Sequence, residues 1–198
     1  MNNKENSKNI RYIAVTGVLS AIAFVLQLIE IPLPYIMPSF IKLDFSDLPA
    51  LIGAFAMGPV CGIMIELIKN ILHAIITASF VGELSNFLLG AVFVGVAGFI
   101  YTRKKNKKTA IIASFVGAIA MAIFALPSNL FIIYPLYYNF MPKETILALY
   151  QVILPSVDSI GKALIIFNVP FTFVKGMIDV VITFFIYKHI SPILKGKN

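Results

Sequence analysis

Asn168, Thr172, Lys175 and Asp179 stand at i, i+4, i+7 and i+11 in an otherwise apolar stretch. On a helix that spacing places them in one stripe, which must face protein or water rather than lipid. Amide and hydroxyl groups both donate and accept hydrogen bonds, so the stripe suits a polar, uncharged solute better than an ion. Asp179, four residues beyond Lys175, could also simply neutralise it. Asn129, within LPSNLF, offers a second amide from another apolar stretch. Glu66 and Lys69 are three apart and can pair on one helical face, with Asn70 and His73 extending the polar row. Lys162 lies near the end of a span. Ionisable groups inside a span are costly, so each is either a functional group or half of a structural pair.

Catalytic patterns are poorer. The sequence has no HExxH, no GxSxG and no GxxxxGK[ST]. His73 and His189 are too far apart in the expected topology to ligate one metal easily, and the single cysteine, Cys61, excludes an internal disulfide or a cysteine zinc cluster. No metal or cofactor is expected, and no catalytic residue. Active transport would need an ATPase supplied by another chain.

The elements that must position these groups follow from composition. Of 198 residues, 59% are hydrophobic and 13% charged, and the mean hydropathy is +0.91. Such a chain belongs in a lipid bilayer, where each helical span takes roughly 20 apolar residues. The expected fold is an all-α integral membrane protein with six transmembrane helices, at about 10–29, 47–58, 59–77, 84–101, 109–133 and 159–189. Residues 1–9 read as a disordered tail, 10–190 as one membrane domain and 191–198 as a second tail. The first apolar run has no small-residue cleavage site and continues into EIPLPYIMP, so it is expected to remain in the mature protein. Ser46 or Asp47 can cap the second helix, and Pro49 fits its first turn.

The net charge of +7 comes from basic clusters at Lys4, Lys8 and Arg11, at Arg103, Lys104, Lys105, Lys107 and Lys108, and at Lys188, Lys195 and Lys197. The positive-inside rule places all three clusters, and so both termini, in the cytoplasm, with even numbers of spans between them. That placement argues for lipid and against nucleic acid. The loops at 30–46 and 134–158 then share the outer face. Aromatics gather there: Tyr35, Phe40 and Phe45 in the first loop, Phe131, Tyr134, Tyr137 and Tyr138 after the fifth span, and Phe171 and Phe173 on the sixth. Any one of these rings could equally belong to an interfacial belt. Gly17 with Ala21, and Thr16 with Ser20, keep the four-residue spacing of small side chains that lets another membrane helix approach.

The segments IEIPLPYIMPSFIKLDFSDLPALIGAFAMGPVCGIMIELIKN, ELSNFLLGA, SNLFIIYPLYY and NVPFTFVKG resemble the substrate-binding S components of energy-coupling factor (ECF) vitamin transporters, the riboflavin branch above all. The resemblance spans about residues 10–190. It implies a high-affinity flavin binder, not an enzyme, in a bacterial plasma membrane, docking on one transmembrane coupling subunit and two ATPase subunits. It assigns flavin contacts to Asn129 and Lys175, and places Thr172 where an amide is expected, a gap that Asn168 could fill. It makes the loop with Pro38, Phe40 and Phe45 a lid, and the Gly17 and Ala21 face the docking surface. Binding of FMN or another vitamin is the nearest alternative, although FMN would want more positive charge than Lys42 and Lys143 supply at the mouth. A lipid-modifying membrane enzyme would need acidic or metal-binding groups at the cytoplasmic interface, where the chain is basic. A self-sufficient ion-coupled carrier using Glu66 and Asp179 is the remaining alternative.

Overall fold

The computed structural model describes residues 3–195, with side chains placed for 6–183 and for Phe185 and Ile186. The chain is a helical bundle. Helix α1 spans Asn3–Gln27, α2 Asp47–Met57, α3 Pro59–Thr77 and α4 Phe80–Arg103. Helix α5 runs Lys107–Ser128 and continues through a π turn, Asn129–Ile133, into α6, Tyr134–Tyr137. Helix α7 is Lys143–Gln151; α8, Ile160–Ala163, continues through a second π turn, Leu164–Asn168, into α9, Val169–Lys195. Two-residue strands β1, Ile31–Pro32, and β2, Lys42–Leu43, pair antiparallel, so the proline-rich first loop doubles back on itself. That ladder is the one departure from an all-helical fold among the described residues.

Among the described residues five helical stretches are long and apolar enough to cross a membrane: Asn6–Gln27, Pro59–Thr77, Phe80–Arg103, Lys107–Tyr137 and Ile160–Thr183. The second expected span, 47–58, appears as α2, which has only 11 residues. At 1.5 Å per residue it reaches about half of a 30 Å hydrocarbon core. Residues 3–9, expected as a disordered tail, continue α1, and 191–195 continue α9; the remaining tail residues lie outside the described ones, as do the side chains of His189 and of the third basic cluster. Within the expected loop 134–158 the structure has α6 and α7, the latter anchored by Ile146 and Tyr150 at i and i+4, both buried.

The two π turns have a common cause. Pro135 follows the first and Pro170 the second. A proline lacks the N–H that an α-helix needs and its ring crowds the carbonyl four residues back; a π turn relieves that crowding and keeps the helix going. Asn129 opens the first π turn and Asn168 closes the second, so the amides expected to bind solute sit on locally widened backbone.

Small residues bring the long helices together. Ala97, Ala110, Ala113 and Ala118 are fully buried in one cluster with Phe93 and Tyr101. A Cβ on Gly117 would lie 2.7 Å from the backbone oxygen of Phe93. Backbone cannot swing aside, so Gly117→Ala is expected to destabilise the protein by about 1–3 kcal/mol despite alanine's better helix propensity. Thermal unfolding of the ligand-free protein checks this; an unchanged midpoint would mean that α4 and α5 pack more loosely. Gly58, at φ +104°, makes the turn between α2 and α3, a conformation that only glycine adopts without strain.

Candidate solute-binding site

A cavity of about 450 Å³ lies at the end of the bundle covered by the first loop. Its size falls within the range of small-molecule sites. The loop supplies Ser39 to Lys42 and Asp44; α4, the α5 extension and α9 supply Leu89, Asn86, Asn129, Ile133, Phe171, Thr172 and Lys175. Of the residues expected to bind, Asn129, Asn168, Thr172, Lys175 and Phe40 all line it. Phe45 does not: it is half-buried, one residue past the loop's last lining side chain. Tyr35 and Phe131 are exposed and Phe173 packs edge-on against Phe115 at 6.4 Å, away from the lining. Tyr134, Tyr137 and Phe171 do reach it.

Phe40 fastens the loop. Its ring centroid lies 5.8 Å from that of Tyr137 and 6.2 Å, edge-on, from that of Tyr150. Edge-on rings bring positive rim to negative face, adding to the apolar area they bury. Below this contact, Tyr150 donates to Asn168 Oδ1 at 2.7 Å, Asn168 Nδ2 donates to the Tyr134 hydroxyl at 3.3 Å, and the two tyrosine hydroxyls bond each other. Burial raises the Tyr150 phenol well above its ordinary range, which keeps it a donor. Asn168 is thus a residue held in place by tyrosines, with one donor and one lone pair left for a solute. Asn129 spends one amide proton on the Ala125 carbonyl at 2.7 Å; its other proton and its oxygen can serve a ligand.

Lys175 has different partners from the one its sequence neighbourhood offered. Its Nζ lies 3.0 Å from Asp44 Oδ2 and 3.2 Å from Asp47 Oδ2, on the loop and at the start of α2. Asp179 does not neutralise it here: among the described residues neither Asp179 oxygen has a hydrogen-bond partner, although the side chain is 1% exposed. The expected Glu66–Lys69 pair is present at 2.9 Å, but Lys69 also donates to Asp47 Oδ1 at 2.5 Å and to Ser46 Oγ at 2.6 Å. Ser46 precedes α2 without capping it, because its hydroxyl donates to Asp44 at 2.5 Å. One buried network therefore joins α3, the loop, α2 and α9.

Burial alone would raise the Asp44 carboxyl, but the Lys175 and Lys69 ammoniums and two hydrogen bonds from Ser46 more than offset it and hold the group below the usual carboxylate range. A depressed native value means that Asp44 stabilises the closed loop throughout the range above the ordinary Asp value. That contribution is lost only as the pH falls toward the depressed one.

A second polar cluster also reaches the cavity. His73 Nδ1 and Glu83 Oε1 are 2.8 Å apart, Glu83 Oε2 accepts from Gln27 at 2.6 Å, and Glu30 pairs with Lys42 on the loop. One ligand atom from each of Glu30, His73 and Glu83 lies within 4.8 Å of the others. Such a set could approach a divalent cation, but Lys42 and Gln27 already occupy its carboxylates; Glu30 Oε1, 3.9 Å from His73 Nε2, brings the loop against α3. Glu30 and Glu83 line the cavity and were missed from sequence, as were Asp44 and Asp47. For Asp44 and Asp47 the available signal was the demand of buried Lys69 and Lys175 for anions.

Comparison with known proteins accords with this geometry. Residues 11–187 match the family described as "ECF transporter, substrate-specific component". Riboflavin transporter RibU of Staphylococcus aureus (strain TCH60) is 34% identical over 193 residues, covering 97% of this chain and 96% of that protein. Riboflavin transporter FmnP of Bacillus subtilis (strain 168) is 31% identical over 187 residues, covering 92% and 93%. A solved structure described as "Structure and mechanism of the S component of a bacterial ECF transporter" superposes with a TM-score of 0.73 at 32% identity, over 94% of this chain and 99% of that one. A loop-covered cavity walled by amides and aromatics, in a bundle of membrane-length helices, is thus the site of a chain that belongs to the substrate-specific, or S, components of ECF transporters.

Proposed function

We propose that the cavity binds riboflavin and that the chain delivers it across a bacterial plasma membrane with an ECF coupling subunit and two ATPase subunits. The observation that carries this reading is the cavity's division. Phe40, Tyr137, Phe171, Leu89 and Met121 offer a flat apolar ring its surroundings, while Asn129, Asn168, Thr172, Ser39 and Asn86 offer hydroxyl and carbonyl groups their partners. FMN is the weaker ligand on this reading. The lining lysines, Lys42 and Lys175, are both paired with carboxylates, and Glu30 and Glu83 would oppose a phosphate. The chain acts as a binder rather than an enzyme and uses no cofactor of its own.

On this reading α2 completes a six-helix membrane unit with both termini cytoplasmic, and the loop at 30–46 faces outward. The docking surface is the face of α1 that carries Gly17 and Ala21. Both are exposed, nothing beyond the local backbone of α1 and the adjoining residues lies within 4 Å of where a Gly17 Cβ would sit, and Ile13, Val18 and Val25 are exposed beside them. Thr16 and Ser20 face inward instead, Thr16 Oγ1 lying 3.2 Å from Cys61 Sγ.

Uptake of labelled riboflavin into proteoliposomes tests the whole proposal. The chain alone should bind but not concentrate the vitamin, and addition of the coupling and ATPase subunits with ATP should give accumulation. Concentrative uptake by the chain alone would sink the partner-dependent reading. Gly17→Leu with Ala21→Leu should abolish most uptake in the full complex and leave binding intact, since a bulky side chain keeps a neighbouring helix away. Full uptake by that variant would move the docking face elsewhere.

A further inference from the structure

The network around Lys175 holds one carboxylate that nothing in the closed arrangement uses. Asp44 and Asp47 already neutralise Lys175 and Lys69, Glu66 is a second carboxylate on Lys69, and Asp179 stands apart with both oxygens unpartnered among the described residues. It is not in the cavity lining. Burying an unpartnered carboxyl costs free energy, so a role in some other arrangement is to be looked for. Asp179 follows Lys175 by one helical turn on α9, within reach of the same ammonium, and it feels the charges of Lys175, Asp47, Asp44 and Lys69.

We propose that Asp179 is the reserve counter-ion for Lys175, a positioning residue that takes over the ammonium when the loop carrying Asp44 lifts from the cavity. The inference rests on the reading of that loop as a lid over the solute. The loop's link to α9 is the Lys175 pairing with Asp44, and with Asp47 at the start of α2. Helical side chains lean toward the helix N-terminus, so Lys175 naturally reaches up toward the loop, and a change of rotamer brings it down toward Asp179. Without Asp179, lifting the loop would strand a buried ammonium with fewer anions; with it, one pair is exchanged for another. The lid can then open without a large electrostatic barrier, and the open state still holds Lys175 in a defined place.

Hydrogen exchange of backbone amides at 41–46, measured on the full-length ligand-free protein, tests this without reference to any solute. Asp179→Asn should slow their exchange by at least about tenfold, since opening now leaves Lys175 with Asp47 alone, an anion it shares with Lys69. Asp179→Glu should restore exchange close to the parent's. In a Lys175→Met background the Asn substitution should have no further effect, because there is no ammonium to hand over. Should Asp179→Asn fail to fold, Asp179→Leu, which fills the same space without a polar group, replaces it. Unchanged or faster exchange in a folded Asp179 variant overturns the proposal. So does slowing that persists with Lys175→Met, which would make Asp179 a source of repulsion against Asp44 and Asp47 rather than a partner for Lys175. Riboflavin dissociation, followed by the return of its fluorescence, should slow by the same factor in Asp179→Asn. If the parent binds no riboflavin the substrate reading fails by itself, and the exchange measurement still decides the role of Asp179.

Discussion

Lys175→Met is expected to weaken riboflavin binding by at least about a hundredfold, the largest effect of any single lining substitution. Two losses combine. The ligand loses a charged donor from the lining, and Asp44 and Asp47 lose the ammonium that holds the loop against α9. Removing one member of a buried ion pair leaves its partner uncompensated and costs about 3–5 kcal/mol, where each 1.4 kcal/mol is a factor of ten. The informative control is set by the structure: Asp44→Asn, which removes the stranded charge of the loop, rather than Asp179→Asn, which sequence spacing alone would have chosen. Lys175→Met with Asp44→Asn should recover stability more than affinity, because the charge conflict is gone while the donor is still missing. If equilibrium fluorescence quenching gives Lys175→Met the parent's affinity, the ammonium neither holds the loop nor meets the ligand.

Lys69→Met should lower the apparent thermal midpoint of the ligand-free protein by on the order of 10 °C. Lys69 is fully buried and makes its contacts with Asp47, Glu66 and Ser46 at 2.5, 2.9 and 2.6 Å. Its loss leaves Glu66 without its cationic partner and Asp47 with Lys175 alone. Adding Asp47→Asn and Glu66→Gln to the same chain should regain most of the loss, since uncharged groups are cheaper to bury than unpaired charges. A parent-like midpoint for Lys69→Met would show that the network contributes little to stability.

The sequence carried the helices well where hydropathy alone decides them. The third span was placed at its observed bounds, 59–77, because Gly58-Pro59 stops one helix and starts the next. Asn129, Asn168, Thr172 and Lys175 line the cavity, and they were legible because polar groups on an apolar helix stand out and helical spacing says which share a face. Helix α7 was missed because its apolar pair, Ile146 and Tyr150, lies in a segment interrupted on both sides by prolines. The partners of Lys175 were missed for a different reason. Helical spacing offered Asp179 four residues away, whereas Asp44 lies 131 residues away in the chain, and only the packing of the loop over α9 brings it to 3.0 Å. Phe45 was chosen for its ring, and the turn that buries Asp44 directs it elsewhere.

The most direct test of the account is a riboflavin fluorescence titration of the purified chain, parent and Asn129→Ala side by side, with each variant's fold checked first. Asn129 reaches the cavity from the first π turn and takes no part in the ion network, so its truncation deletes a ligand contact without stranding a charge. The account predicts saturable one-to-one quenching by the parent without any ATPase subunit, and an affinity about 5- to 150-fold lower for Asn129→Ala, the cost of about 1–3 kcal/mol for a polar group left unsatisfied. A parent that does not quench riboflavin, or a folded Asn129→Ala that binds it as tightly as the parent, would contradict the assignment of this cavity to the vitamin.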